Sequence, residues 1–261
     1  MFAWHFDLSV LIGLLLLTLV YAVAVAAPRR ASLGQATSFL LGVFVLFVAL
    51  QSPLDTLGDR SLLSAHMIQH LLLVLVAPPL LLAGTPAWVV RPIATAPLLG
   101  TVARRLTRGP LAFAIYNGVF ALWHLPALFD LTLRNEGVHI AEHLVFIATG
   151  VLAWWPVISP LPELPRLSYP FQMLYLFLQT LPCSLVGALL TLSGDVLYIP
   201  YAVAPRVNGL TPLADQQIGG LAMWIGGSVY YFLAFMIVFF LWAAHEEPER
   251  RRFYLVNGRS G

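Results

Sequence analysis

"SLLSAHMIQHLLLVLVAPPLLLAG", Ser61 to Gly84, decides how this chain folds. Its apolar run is long enough for a membrane-spanning helix, which takes about 20 residues to cross a hydrocarbon core of roughly 30 Å. Yet His66 and His70 sit four residues apart near its start. Polar side chains inside a membrane are expensive and tend to be functional, so this pair needs partners.

The rest of the chain agrees with a membrane setting. Of 261 residues, 59% are hydrophobic and 10% charged, against about 25% charged in an ordinary soluble domain. The mean hydropathy is +0.84. All 14 basic residues are Arg, and the net charge of +2 gives no reason to expect a nucleic-acid partner. A single cysteine, Cys183, excludes an intramolecular disulfide and any Cys-rich metal cluster. The opening "MFAWHFDLSV" lacks the basic start of a cleavable signal peptide, so the first apolar run is expected to stay as a span.

Working outward from Ser61–Gly84, seven spans are expected: Leu8–Ala27, Thr37–Leu54, Leu62–Ala83, Pro110–Phe129, Val138–Ile158, Pro170–Ser193 and Ile218–Ala244. The fold class is an all-α membrane protein, a seven-transmembrane-helix bundle. Residues 1–245 form one membrane domain, and 246–261 a short basic tail. Between spans three and four, "PAWVVRPIATAPLLGTVARRLTRGP" is too basic and too broken by proline to cross, and is expected along the interface. Trp154 and Trp155 end span five and Trp242 ends span seven, where aromatic belts are expected.

Arginines set the orientation. Arg29, Arg30, Arg91, Arg104, Arg105, Arg108, Arg166, Arg250, Arg251, Arg252 and Arg259 fall on one side; Arg60, Arg134 and Arg206 fall on the other. The positive-inside rule then puts the N-terminus outside and the C-terminus in the cytoplasm.

That orientation gathers the histidines. His66 and His70 lie roughly 6 and 12 Å below the outer end of span three, at about 1.5 Å per residue. His124, in "ALWHLPALFD", is near the outer end of span four, and "VHIAEHL" puts His139 and His143 in the first two turns of span five. His5 is on the same side, whereas His245 is cytoplasmic. Both pairs are i, i+4, so each shares one helix face. The metal-ligand candidates are therefore His66, His70, His124, His139 and His143, with Met67, Met223 and His5 as further candidates. Glu142, Asp130 and Asp215 are candidate outer acceptors that orient the imidazoles. Imidazole with thioether suits copper, and imidazole with carboxylate suits zinc or iron.

Other readings of these residues stay open. "HIAEH" fits H-x-x-E-H, the inverted zinc-peptidase motif with Glu as base, and a histidine pair across two helices could ligate haem. "ADQQIGGLAMW" opens span seven with Asp215, a candidate helix cap. Its glycines Gly219 and Gly220, with Gly226 and Gly227 just beyond, are expected to allow close helix packing. Pro78, Pro79 and Pro126 are expected to kink or end helices. Cys183 reads as a small buried hydrophobe.

Together "SAHMIQHLLLVLVAPPLLLAG", "WHLPALFD", "HIAEHLVFIATGVLAWWPV" and "DQQIGGLAMW" resemble the integral-membrane CtaG family (Caa3_CtaG type) of cytochrome c oxidase assembly factors. The resemblance runs from about Phe6 to span seven. It implies a multi-pass protein of the bacterial cell (inner) membrane, needed to make an active haem–copper oxidase and involved in copper delivery. Its partners would be cytochrome c oxidase subunits and a copper donor protein, besides the lipid bilayer. The family's histidine motifs fall on His66, His70, His124, His139 and His143. On this reading the chain is a metallochaperone and not an enzyme. The alternatives are an intramembrane zinc or di-metal enzyme using His139, Glu142 and His143, or a bis-His haem protein.

Overall fold

The computed structural model describes residues 4, 6–26, 30–207 and 209–257, with side chains as far as residue 247. His5, Arg29 and Arg259 lie outside the described residues, as do the side chains of Arg250, Arg251 and Arg252. Every regular element described is helical. In chain order these are α1 Leu8–Ala26, α2 Leu33–Gln51, α3 Pro53–Arg60, α4 Leu63–Gly84, α5 Ala87–Thr95 and α6 Pro97–Leu106. Then follow α7 Gly109–Trp123, α8 Pro126–Arg134, α9 Glu136–Ile158, α10 Tyr169–Leu192, α11 Ile199–Val203 and α12 Pro212–Glu247.

Six of these, α1, α2, α4, α9, α10 and α12, are long and apolar enough to cross a membrane. The fourth expected span, Pro110–Phe129, is not one straight helix. It ends as α7 at Trp123 and resumes as α8 after a bend of 71°. Counted together, the bent pair makes a seventh crossing. Pro126 explains the break. It has no N–H to continue the ladder, and its ring pushes the preceding residue out of the α region. Leu125 accordingly sits at φ −67°, ψ 129°. At about 1.5 Å per residue, the 15 residues of α7 cover roughly 23 Å.

Helix α4 is the central pillar: 67% of its apolar window is buried inside the protein, against 6% for α1. Exposed Leu15, Val20, Leu185, Phe232 and Phe240 show the opposite face of the design, an apolar exterior that only lipid satisfies. The basic stretch between α4 and α7 forms the two short helices α5 and α6, neither of them long enough to span.

Two helices contain π-turns, Leu72–Val76 in α4 and Ala222–Gly226 in α12. In the first, the Val74 carbonyl oxygen accepts a hydrogen bond from Trp154 Nε1 at 3.1 Å. Trp154 and Trp155 are thus buried anchors, not members of an aromatic belt. The Trp155 indole donates to the Leu164 carbonyl oxygen at 3.2 Å. Both rings turn inward because each N–H finds a carbonyl there that hydrocarbon could not offer.

Close packing at the top of α4 is set by small residues. A Cβ on Gly219 would lie 3.2 Å from Ser64 Cα and 3.3 Å from Met67 Cγ, so α12 can touch α4 only without a side chain there. Gly220 and Gly227 press against Thr191 and Cys183 in the same way, whereas Gly226 meets nothing within 4 Å.

Candidate metal centre

The start of α4 is fixed by a residue from the far end of the sequence. The Asp215 carboxylate accepts from Leu63 N–H at 2.6 Å, from Ser64 N–H at 3.2 Å and from the Ser64 hydroxyl. It satisfies donors that any helix start leaves open and ties the first turn of α12 to the first turn of α4. Asp215 therefore does not touch an imidazole; it holds the helix that carries two of them.

One turn further on, His66 and His70 point into the bundle with ring centroids 4.2 Å apart. The second i, i+4 pair, His139 and His143 of α9, has the same 4.2 Å separation. The pairs face each other: His66 lies 5.6 Å from His139 and His70 lies 5.5 Å from His143. His124, which follows α7 at the bend, comes within 6.4 Å of His70. Its Nδ1 is 2.7 Å from the Phe120 carbonyl oxygen. A carbonyl only accepts, so Nδ1 carries the proton and Nε2 keeps its lone pair.

Seven nitrogens of these rings are buried without a hydrogen-bond partner: both of His66, both of His70, and Nε2 of His124, His139 and His143. The two oxygens of Glu142, itself 0% exposed, are in the same condition. The Thr132 hydroxyl lies beside this carboxyl but donates to the Phe129 carbonyl oxygen at 2.7 Å. Unpaired polar groups of this kind cost about 1–3 kcal/mol each.

A second polar chain in the same membrane interior makes the contrast. Asn117 Nδ2 donates to Gln179 Oε1, Gln179 Nε2 to the Tyr175 hydroxyl, and that hydroxyl to the Ala153 carbonyl oxygen, each at 2.8 Å. Polar groups kept only for packing are closed in this way. The imidazole cluster is left open.

Donor atoms converge in three overlapping triads: Asp59–His66–His139, His66–His70–Glu142 and His139–Glu142–His143. Within each, all donor atoms lie within 4.8 Å of one another. A single ion about 2.0–2.2 Å from each donor needs them within about 4.4 Å of one another, so each triad is close to the spacing that one ion would take. Imidazole nitrogens and carboxylate oxygens together suit a borderline divalent ion.

Glu142 stands inside the donor set instead of behind it. Asp130 joins none of these triads; its Oδ2 is 3.9 Å from Arg134 Nη2. Met67 and Met223 are buried and, with His70 and His124, line a small cavity. His245 packs near Tyr169 at the other end of the bundle.

Asp59 is the ligand candidate that reading the sequence misses. Its Oδ1 is 3.6 Å from His139 Nε2 and 3.9 Å from His66 Nδ1. It lies on α3, in what reads as a plain loop after span two. The signal is "PLDTLGDR", with Asp55 and Asp59 at i, i+4 directly before the first histidine pair. Asp55 holds the same region by accepting from Gln69 Nε2 at 2.7 Å. The loop between α10 and α12 also folds over the cluster. Tyr201 donates to the Gly58 carbonyl oxygen at 2.5 Å and Tyr198 to the His124 carbonyl oxygen at 2.9 Å.

Fold and site together define a multi-helical membrane protein with a buried imidazole–carboxylate cluster at one end of its bundle. The family model described as cytochrome c oxidase caa3 assembly factor (Caa3_CtaG) matches residues 19–245, and the chain belongs to that family. Similar proteins include an uncharacterized protein of Mycobacterium bovis and one of Mycobacterium tuberculosis. Each is 27% identical over 243 residues, covering 85% of this chain and 36% of the relative. An uncharacterized protein of Mycobacterium leprae is 22% identical over 263 residues, covering 93% of this chain and 40% of the relative. The chain thus spans well under half the length of these curated relatives. No solved structure matches it significantly.

Proposed function

We propose that this protein binds copper through the histidine cluster and helps deliver it to a haem–copper cytochrome c oxidase during assembly. The single observation that supports this most is the set of seven buried imidazole nitrogens left without partners. Such a cluster is costly in an empty bundle and becomes favourable when an ion fills it. Family membership supplies the oxidase as the expected recipient.

In this proposal His66, His70, His139 and His143 hold the ion, with Glu142 and Asp59 offsetting its charge. The overlap of the three triads suits a carrier. His66, His139 and Glu142 each belong to two of them, so an ion could shift by exchanging one donor at a time. The arginine asymmetry would place the cluster at the outer leaflet, with the N-terminus outside and the C-terminal tail in the cytoplasm. The proposed setting is a bacterial cell membrane, and a copper donor protein would complete the route.

Metal analysis of the purified protein tests the reading. Stoichiometric copper without hydrolytic turnover supports it. Zinc accompanied by hydrolytic activity, or a Soret band from bound haem, would replace it.

A further inference from the structure

We infer that the protein has a second, deeper metal position, built from Met67, Met223, His70 and His124, that takes a soft monovalent cation, Cu(I). This rests on the copper reading above but concerns a different donor set.

A cavity lies between α4, α7, α9 and α12, walled by Met67, His70, Phe120, His124, Phe146 and Met223. The cavity is small, about 10 Å³, with room for one particle the size of a water molecule. That is the least space a water needs, and a single ion is no larger. Met67 is 0% and Met223 1% exposed. Among the described residues, no acidic side chain lines this cavity.

Two of the side chains around it, His70 and His124, carry imidazole nitrogens without a hydrogen-bond partner. His70 is buried with neither nitrogen bonded. His124 has its proton committed to the Phe120 carbonyl oxygen, leaving a buried, unshared lone pair at Nε2. Fixing one imidazole nitrogen in this way is how metal-binding histidines are oriented. A water bridging these groups would have the two sulfurs as its other neighbours, and thioethers are weak acceptors.

The backbone is irregular at this place on both sides. Met223 belongs to the π-turn Ala222–Gly226, and the other π-turn, Leu72–Val76, begins two residues after His70. Such turns are rare and occur mostly at functional sites. The Met223 carbonyl oxygen accepts from Cys183 Sγ at 3.3 Å, which pins the turn that presents this side chain. Gly219 lets Met67 pack directly under α12.

The two positions differ in charge and softness. The upper triads contain Asp59 and Glu142, whose negative charge offsets a divalent ion. The deeper set is two thioethers and two neutral imidazoles, with no charge to offer. Desolvating a doubly charged ion there would be far more costly than desolvating a singly charged one, and thioether donors select Cu(I). His70 belongs to both sets, so it is the residue at which the two positions meet.

The test uses the full chain in lipid nanodiscs, without oxygen, titrated with Cu(I) and separately with Ag(I), an ion of the same charge and softness. X-ray absorption of the Cu(I)-loaded protein should show sulfur scattering. Met67→Leu/Met223→Leu nearly conserves volume. It should remove that scattering and weaken Cu(I) and Ag(I) binding by at least the roughly tenfold that even an outer-shell loss costs. Zn(II) binding by the upper triads should stay unchanged. Glu142→Gln should do the reverse. Copper–selenium scattering in selenomethionine-labelled protein gives the same answer with no substitution. Cu(I) bound without sulfur or selenium neighbours, or at full affinity in the double variant, would overturn the deeper site and leave the copper reading standing. A protein that binds copper in neither valence would overturn both.

Discussion

Removing the Asp215 carboxylate should loosen the helix that carries His66 and His70. In Asp215→Ala the Leu63 N–H, the Ser64 N–H and the Ser64 hydroxyl all lose their acceptor in a buried place. A lost N-cap alone costs about 0.5–2 kcal/mol. Hydrogen bonds to a charged group contribute about 1.5–3 kcal/mol each. The three share one acceptor and are not independent, so the expected loss is about 3–5 kcal/mol. At about 2–4 °C per kcal/mol for a chain of this size, Tm falls by about 6–20 °C. Asp215→Asn keeps one acceptor oxygen and should lose clearly less. Thermal unfolding of the detergent-purified protein, followed by intrinsic fluorescence, measures both. Metal affinity should fall with Tm, because the capped turn directly precedes His66. An Asp215→Ala protein melting within about 1 °C of the parent would refute the account of how α4 is held.

Three other outcomes are expected. Glu142→Gln keeps the shape but removes a carboxylate donor, and metal binding by isothermal titration should weaken by more than the roughly 10–100-fold that an outer-shell loss costs; unchanged binding with loss of a hydrolytic activity would favour the zinc-enzyme alternative. Trp154→Phe leaves the Val74 carbonyl oxygen without its donor and should cost about 1–3 kcal/mol in a thermal melt, whereas an unchanged melt would mean the π-turn does not need the indole. A reporter fused to the C-terminal tail should be accessible from the cytoplasm; accessibility only from outside would reverse the placement of every histidine.

The sequence reveals the helices and the histidines well, and for one reason: both signals are local. Apolar runs of about 20 residues mark spans, and i, i+4 spacing puts His66 with His70 and His139 with His143 on single faces. What it hides depends on distant contacts. Trp154 and Trp155 sit where an aromatic belt would, but their indoles meet the Val74 and Leu164 carbonyl oxygens, which the sequence does not bring to mind. Asp59 lies on a short helix with no span signal, so its approach to His139 emerges only when α3 packs on α4. Asp215 reads as the cap of its own helix, but Thr211 caps that one, and the Asp215 carboxylate instead takes the first N–H groups of α4, about 150 residues earlier. The bend after His124 was legible in Pro126, yet the apolar pattern around it still reads as one continuous span.

The central claim is that His66 and His70 face inward to hold copper, and their removal tests it most directly. Purified His66→Ala/His70→Ala protein should be compared with the parent for bound copper per chain, alongside a thermal melt. The account predicts a protein that still inserts and folds, since its imidazoles are unpaired in the bundle, but retains little or no copper. Stoichiometric copper in the double variant would show that this pair is structural and that the ion, if bound, is held elsewhere.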